Sequence, residues 1–340
     1  MKVLGIESSC DETAAAVVED GRVVLSDVVR SQVDLHAKFG GPVPEVASRS
    51  HLEVILPVIE SALEGAGLRP ADVDAVAVTH RPGLIGALLV GLSAAKAFAL
   101  AAGKPLVGVD HIAAHVYASW MDEPVPPRPP FVSLVVSGGH TSLFRHDAPF
   151  EPVEIGSTAD DAAGEAFDKV AAILDLGYPG GPVIDRLAKE GDRTRFPFKP
   201  PLLGRERDVI DFSFSGLKTA VLYRVTGRNS KHPPLETTEE NVRDMAASFQ
   251  DSVVEGLVRA AFRAVDRAGA EDLVIGGGCA ANSRLRERFA EEAAERGVRV
   301  FLPVLARTTD NAVMIAGLGY HELVRRGPDD LTLDAYATGQ

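Results

Sequence analysis

Two histidines four residues apart, His111 and His115, stand in the run Val109–Ser119. On a helix this spacing points both imidazoles from one face, about one turn apart, so that they can share a metal ion. The run is rich in Ala and holds no Gly or Pro, which favours a helix. Peptidases with this spacing carry a Glu directly after the first His as general base. Ile112 occupies that place here, so a metal is compatible with the pattern and the usual water-activating carboxylate is missing. The competing reading is a pair of histidines hydrogen-bonded on a buried helix face.

A second chemistry is written in small-residue turns. Val3–Val18 reads as strand, small polar turn, strand, and Phe131–Phe144 repeats the plan. Each is a hairpin whose tight turn exposes backbone N–H groups. The apolar run Ala75–Thr79 leads through Pro82 and Gly83 into a helix from Leu84. Asp272–Ile275 leads through Gly276, Gly277 and Gly278 into a helix from about Asn282 to Ala294, followed by a strand Val298–Leu302. Strand–helix–strand order implies parallel sheets covered by helices. Glycines let backbone approach phosphate, and helix N-termini supply the positive ends of dipoles. These turns point to a nucleotide. Ser9, Gly277 and Gly278 are candidate phosphate contacts. Asp11 and Glu12 would orient the nucleotide near the metal or simply cap a turn.

The elements that must position these groups fall into two similar halves. The Pro-rich stretch Met121–Pro130 marks the crossing. The expected organisation is an N-terminal lobe over residues 1–128 and a C-terminal lobe over 129–311. The run Val313–Arg326 reads as a helix, and the C-terminal helical segment, about 312–335 at its widest, is expected to return to the first lobe. A basic, loop-rich insertion is expected over about 186–231: between Arg186 and Lys231, eleven Lys/Arg stand against five acids. Because the chain as a whole carries −13, that segment, with Arg205, Arg207 and Lys218, is the candidate surface for a nucleic acid. A plainly solvated surface is the other reading.

At 340 residues the chain can bury two cores, and 46% hydrophobic with 24% charged residues is a globular balance. Met1 and Lys2 run straight into a strand, with no secretory leader. The apolar stretch Gly83–Gly103 carries Lys96 and many Gly and Ala, and reads as a buried helix rather than a membrane span. Cys10 and Cys279 are too few for a disulfide framework and suit a reducing cytoplasm.

The layout of duplicated hairpins and a Gly-rich turn resembles the superfamily of sugar kinases, actin and heat-shock ATPases: an α/β, two-lobed, duplicated fold with its active site in the inter-lobe cleft. Within it, several runs resemble the tRNA threonylcarbamoyladenosine synthesis transferase family, bacterial branch. They are Gly5–Thr13, Pro44–His51, His111–His115, Ser137–Thr141, Gly164–Lys169, Tyr178–Gly181, Phe212–Thr219 and Gly276–Asn282. The resemblance extends from Val3 to about Gly319.

The resemblance implies transfer of a threonylcarbamoyl group from threonylcarbamoyl-AMP to the exocyclic amine of the adenosine beside the anticodon, position 37, in tRNAs reading codons that begin with A. It implies metal ligands at His111, His115 and Asp310, with Fe2+ favoured and Zn2+ also fitting. Asp310 is alternatively the N-cap of the helix that follows; the two roles can coexist. Substrate contacts implied are Val136, Ser137, Gly138, Gly139, His140, Asp168, Gly181, Asp185 and Asn282. ATP or ADP, and Mg2+, are further expected ligands. Expected partners are tRNA, a paralogous inactive protein of the same fold (TsaB-like) and a small ATPase (TsaE-like), in the cytoplasm and off the membrane. A mixed anhydride is already activated, so the reaction calls for positioning and charge neutralisation rather than a protein nucleophile. The rivals are a metalloprotease, disfavoured by Ile112, and a plain ATPase or sugar kinase, which holds Mg2+ by carboxylates and waters and needs no His pair. A non-catalytic scaffold would leave the convergence of metal ligands and phosphate turns unexplained.

Overall fold

The computed structural model describes residues 1–203, 210–228 and 233–338. The chain divides into two compact units, Met1–Pro126 with Val304–Gln340, and Pro127–Pro303.

The first unit opens with β1 (Lys2–Glu7), β2 (Glu12–Glu19) and β3 (Val23–Ser31), paired antiparallel in succession. After the short α1 (Val33–His36) and the long α2 (Pro44–Gly65) come β4 (Ala75–Arg81), α3 (Ile85–Ala102), β5 (Leu106–Asp110) and α4 (His111–Ala118). β4 pairs parallel with both β1 and β5, giving the order β3-β2-β1-β4-β5. β1 and β4 are buried along nearly their whole length, which is why they read as unbroken apolar runs rather than alternating ones.

The second unit repeats this plan. It holds β6 (Phe131–Val136), β7 (Thr141–His146), β8 (Pro152–Ser157), α5 (Ala163–Ile173), α6 (Gly180–Ala188), α7 (Ser215–Thr226), α8 (Glu239–Ala268), β9 (Asp272–Gly276), α9 (Ser283–Arg296) and β10 (Arg299–Phe301). Its sheet order, β10-β9-β6-β7-β8, is the first unit's order read from the other edge, with the same parallel and antiparallel pairs. The α/β duplication expected from the paired hairpins is therefore present strand for strand. α8 runs through this core, burying Phe249, Val253, Leu257 and Phe262 among others.

The chain then returns to the first unit with α10 (Ala312–Arg326), which packs on β1, β2, β4 and α4. A Cβ on Gly5 would meet the Ala316 amide at 2.6 Å, so only glycine lets α10 lie this close to β1. Three sequence expectations differ from this picture. Residues 304–311 belong to the first unit, not the second, because they lead directly into the helix that packs there. The last helix stops at Arg326, the end of the run Val313–Arg326 and short of the wider bound near 335, since Gly327 takes φ 81° and Pro328 follows. Beyond it the chain is pinned along β5, with the Asp329 amide donating to Leu106 and the Gly108 amide donating to Asp329 Oδ2. And the loop-rich 186–231 stretch also carries a helix, α7.

α3 is long and apolar enough to cross a bilayer, but only a third of it is buried in this fold. It packs Ala87, Leu88, Gly91, Leu92 and Ala95 inward, against α2 and β4 among others, and leaves Ile85, Leu89 and Leu100 exposed. The expectation of a buried helix thus holds for one face only.

Candidate metal and nucleotide sites

The His helix starts where β5 ends. Asp110 closes the strand and caps α4, its Oδ1 accepting the amides of Ile112 (2.9 Å) and Ala113 (3.1 Å). Arg81, ending the neighbouring β4, pairs with Asp110 Oδ2 at 3.2 Å. The cap sets the first turn, and the first turn sets His111. His111 and His115 lie on one face of α4, buried, with ring centroids 4.6 Å apart.

Asp310 meets them from the far end of the chain. Its Oδ1 lies 3.1 Å from His115 Nε2 and 3.4 Å from His111 Nε2. One ligand atom from each of the three residues falls within a 4.8 Å cluster. The helix that follows is capped by Asn311, whose Oδ1 accepts the Met314 amide at 3.0 Å. The capping role open to Asp310 thus belongs to its neighbour, and the Asp310 carboxylate turns to the imidazoles. Two imidazole nitrogens and one carboxylate oxygen form a donor set suited to a divalent transition metal, with coordination positions left for other oxygens.

The electrostatics of this cluster are those of buried charges holding one another. Burial alone would raise the Asp310 carboxyl, but His111 and His115 hold it far below the usual carboxylate range. Burial opposes charge on His111, yet Asp310 and Glu7 raise its pKa well above the ordinary value. His115 goes the other way, lowered chiefly by burial. Glu7, at the end of β1, is fully buried, and His111 lowers its carboxyl against the pull of desolvation. Glu12 is pushed up to about 9 by burial and by the charges of Asp310 and Asp11.

The turn between β1 and β2 is tied into the same cluster. The Ser9 amide donates to Glu7 Oε1, and Ser9 Oγ lies 3.2 Å from His111 Nδ1. Ser9 therefore stands beside the His helix. Glu12 accepts a hydrogen bond from Ser31 Oγ at 3.0 Å, and Asp11 is buried at the tip of the turn. Beneath the turn, His51 Nδ1 contacts Thr13 Oγ1 at 2.7 Å while Nε2 donates to the Cys10 carbonyl at 2.9 Å.

In the second unit the Gly-rich turns come together. The β6–β7 turn closes by the Ser137 amide donating to the His140 carbonyl at 2.8 Å. Gly277, at φ 92°, lies against the Val136 carbonyl, so residues 136–140 and 276–278 are neighbours. Gly164, in the first turn of α5, lies against Ser137 and Gly138, its amide donating to the Ser137 carbonyl at 3.1 Å. The Ala163 amide, first in α5, donates to Thr141 Oγ1 at 2.9 Å. Gly138, Gly139, Gly181 and Gly278 face open space. A glycine turn with open space in front of it lets a phosphate approach the backbone amides.

The polar candidates lie nearby in the fold. Asp168 Oδ1 accepts the Gly180 amide at 2.7 Å and so fixes the start of α6. Asp185 Oδ1 accepts from Ser283 Oγ at 2.8 Å, joining α6 to α9. Asn282 caps α9 through the Leu285 amide and donates to Gln250 Oε1 at 2.8 Å. Its acceptor is thus taken by the helix, and what it can offer a ligand is a remaining N–H. Next to Ser283 and Gln250 opens a cavity of about 600 Å³, also lined by Lys189, Arg193, Asp251 and Arg284.

Of the basic candidates, Arg205 and Arg207 lie outside the described residues. Lys218, on α7, is engaged with Asp161 at 2.7 Å, and the same carboxylate holds Lys169. Sequence reasoning passed over Glu7, Asp110 and Gln250. Glu7 carried a signal, a charged residue ending an otherwise apolar buried strand; Gln250, inside a long amphipathic helix, carried none.

The family model TsaD, described as tRNA N6-adenosine threonylcarbamoyltransferase, matches residues 23–317. A protein of that name from Anaeromyxobacter dehalogenans (strain 2CP-C) is 53% identical over 96% of this chain and 97% of its own length. Another, from Syntrophobacter fumaroxidans, is 52% identical over 98% of both chains. Among solved structures, full-length HypF in its phosphate- and nucleotide-bound form aligns with TM-score 0.64 at 13% identity, over 96% of this chain and 47% of that one. Component A of (R)-2-hydroxyglutaryl-CoA dehydratase from Acidaminococcus fermentans aligns with TM-score 0.54 at 15% identity, over 96% and 100%. At such identities the structural likeness speaks for the fold alone.

Proposed function

Because the chain belongs to the tRNA N6-adenosine threonylcarbamoyltransferase family and so forms threonylcarbamoyladenosine in tRNA, we propose how its own residues serve that transfer. The exocyclic amine of adenosine attacks the carbamoyl carbonyl of threonylcarbamoyl-AMP. An N–C bond forms, the C–O bond to the adenylate phosphate breaks, AMP leaves, and the amine gives up a proton. The anhydride is already activated, so the protein's task is to hold two reactants in line and to neutralise charge on the departing phosphate.

His111, His115 and Asp310 hold a divalent transition metal, iron or zinc. The carrying observation is their convergence, with ligand atoms within 4.8 Å of one another. A metal bound there supplies a Lewis acid for phosphate oxygens. The amides of Gly138 and Gly139, beside the first turn of α5, hold the adenylate phosphate, with Gly277 and Gly278 leaving room next to them. The adenine enters the cavity beside Ser283 and Gln250, and Asp168 and Asp185 face the ribose hydroxyls. Ser9, Asp11 and Glu12 shape the wall next to the metal. A peptidase reading lacks its base, since Ile112 follows His111.

We assign the substrate tRNA to the basic stretch 186–231, with Arg205 and Arg207 as its contacts and Lys218 as a brace to Asp161. A same-fold partner protein docks on the exposed apolar residues of α2 and α3. Leu52 and Leu56 are one turn apart on α2, and Ile85 and Leu89 one turn apart on α3. Gly86 lies against Ser48 of α2, which brings the two pairs onto adjoining helices. A small ATPase completes the set, and the work is done in the cytoplasm, where tRNA is. The deciding experiment incubates unmodified tRNA with this protein, its partners, threonine, bicarbonate and ATP, and analyses the nucleosides by mass. Threonylcarbamoyladenosine appears with the native chain and is lost with His111→Ala or His115→Ala.

A further inference from the structure

We infer that Glu7 is a positioning residue for the metal site: it holds His111 with its proton on Nδ1, so that Nε2 presents a lone pair to the metal. The inference rests on the metal reading of His111, His115 and Asp310.

Glu7 is fully buried, at the end of β1, on the strand that the parallel β4 flanks. Its two oxygens have separate duties. Oε1 accepts the Ser9 amide. Oε2 accepts from Thr79 Oγ1 at 2.6 Å and from His111 Nδ1 at 3.0 Å. Three donors from three different segments thus fix the carboxylate, and the carboxylate in turn is the nearer partner of His111 Nδ1, at 3.0 Å against 3.2 Å for the Ser9 hydroxyl. The other nitrogen, Nε2, is the one aimed at Asp310.

The two histidines differ here. His115 Nδ1 is buried with no hydrogen-bond partner among the described residues. His111 is therefore the ligand whose ring orientation and tautomer the fold sets in advance, and Glu7 sets them. Metal-binding histidines commonly donate their second ring N–H to a carboxylate, which orients the ring and raises its basicity; loss of such a partner typically weakens metal binding 10–100-fold. The Ser9 amide and the Thr79 hydroxyl both donate to Glu7, which leaves the carboxylate an acceptor toward His111.

Glu7→Gln is the isosteric test. With its oxygen toward the Ser9 amide, the new carboxamide presents an NH2 to His111 Nδ1, which then must accept, and Nε2 carries the proton. Turned over, the NH2 opposes the Ser9 amide. Equilibrium dialysis of the full chain with Co2+ and with Zn2+, together with the visible spectrum of the Co2+ form, reads the outcome. Glu7→Gln should bind 10–100-fold more weakly and shift the Co2+ bands. His115→Ala serves as the control that removes a ligand outright. A purely structural role for Glu7 would lower the thermal midpoint and leave Co2+ affinity and spectrum unchanged, and that result overturns the inference. If the native chain takes up neither metal, the metal reading falls, and this inference with it. Where Glu7→Gln does not fold, the Zn2+-loaded native protein decides. Long-range 15N–1H spectra should show His111 metallated at Nε2 with a slowly exchanging Nδ1 proton, and metallation at Nδ1 would refute the role of Glu7.

Discussion

Gly277 and Gly278 sit side by side and carry different burdens. Gly277 holds φ 92° with no room for a Cβ in front of the Val136 carbonyl, so its reason for being glycine is the turn itself. Gly278 faces open space, so its reason is what enters that space. Gly278→Ala should therefore keep the native thermal midpoint and weaken AMP binding about tenfold, or ~1.4 kcal/mol, by calorimetric titration. Gly277→Ala should lose both. Unchanged AMP affinity in Gly278→Ala would move the phosphate away from this turn. His146 gives a second test at this scale. It is buried on β7, stacked on Phe131 at 4.2 Å, and bonded to Ser133 Oγ at 2.8 Å. Burial lowers its pKa from 6.5 to about 4. Between those values the unfolded chain binds the extra proton and the folded chain does not. The contribution is complete above pH 6.5 and shrinks as pH falls toward 4, by at most about 3 kcal/mol. Urea midpoints taken from pH 7.5 down to 4.5 should fall less steeply in His146→Phe than in the native chain.

At the scale of elements, α4 is a short helix whose start is fixed by one side chain. Asp110 accepts two amides of its first turn and pairs with Arg81. Removing such a cap costs about 1 kcal/mol, and here the same turn carries His111. Asp110→Ala should lower stability by that order and weaken Co2+ binding several-fold. Asp110→Asn, which still accepts both amides, should restore most of the metal affinity while losing the Arg81 ion pair. If Asn fails to restore it, the charge at Asp110 matters and the cap does not. α10 shows the same logic from the other side. Gly5 and Gly319 remove the side chains that would separate the helix from β1 and β4, and the close packing carries Asp310, just before the helix, up to the histidines.

For the whole molecule, the acidic balance is the constraint on its substrate. A chain of net charge −13 repels RNA at long range, and the proposed basic stretch can act because screening limits that repulsion to roughly 8 Å at physiological salt. Arg205→Glu with Arg207→Glu should raise KM for tRNA and leave AMP binding alone. It should also flatten the salt dependence of tRNA affinity by about 0.7 to 0.9 per lost phosphate contact. Lys218 is better left intact in that test, because its loss would also leave Asp161 with Lys169 alone. The apolar residues on α2 and α3 make a separate expectation. Leu52→Asp with Leu56→Asp should leave the isolated chain's thermal midpoint nearly unchanged, since both are exposed, at 70% and 62%. Sedimentation of the mixture should then show the complex with its same-fold partner lost; an intact complex would place that partner elsewhere.

Local pattern alone determined much of this protein. Spacing put His111 and His115 on one helix face, small-residue runs marked the hairpin turns, and the paired hairpins announced the duplication that the two sheets display. Long motifs identified the family. All of these depend on neighbours in the chain, where periodicity and backbone preference act. Tertiary structure decided what joined them. Asp310 lies 195 residues from His115, and Glu7 lies 104 from His111. Asp310 alone could equally have been a helix cap, a choice settled only when Asn311 took the amide. The helix end at Arg326 was local, written in Gly327 and Pro328, but the pinning of Asp329 to β5 was not. Convergence of distant residues is a property of sheet order and close packing: β1 lies beside β4, β4 beside β5, and α10 rests on Gly5. Nothing within a helical turn or a strand encodes those distances; they exist only once the sheet has formed.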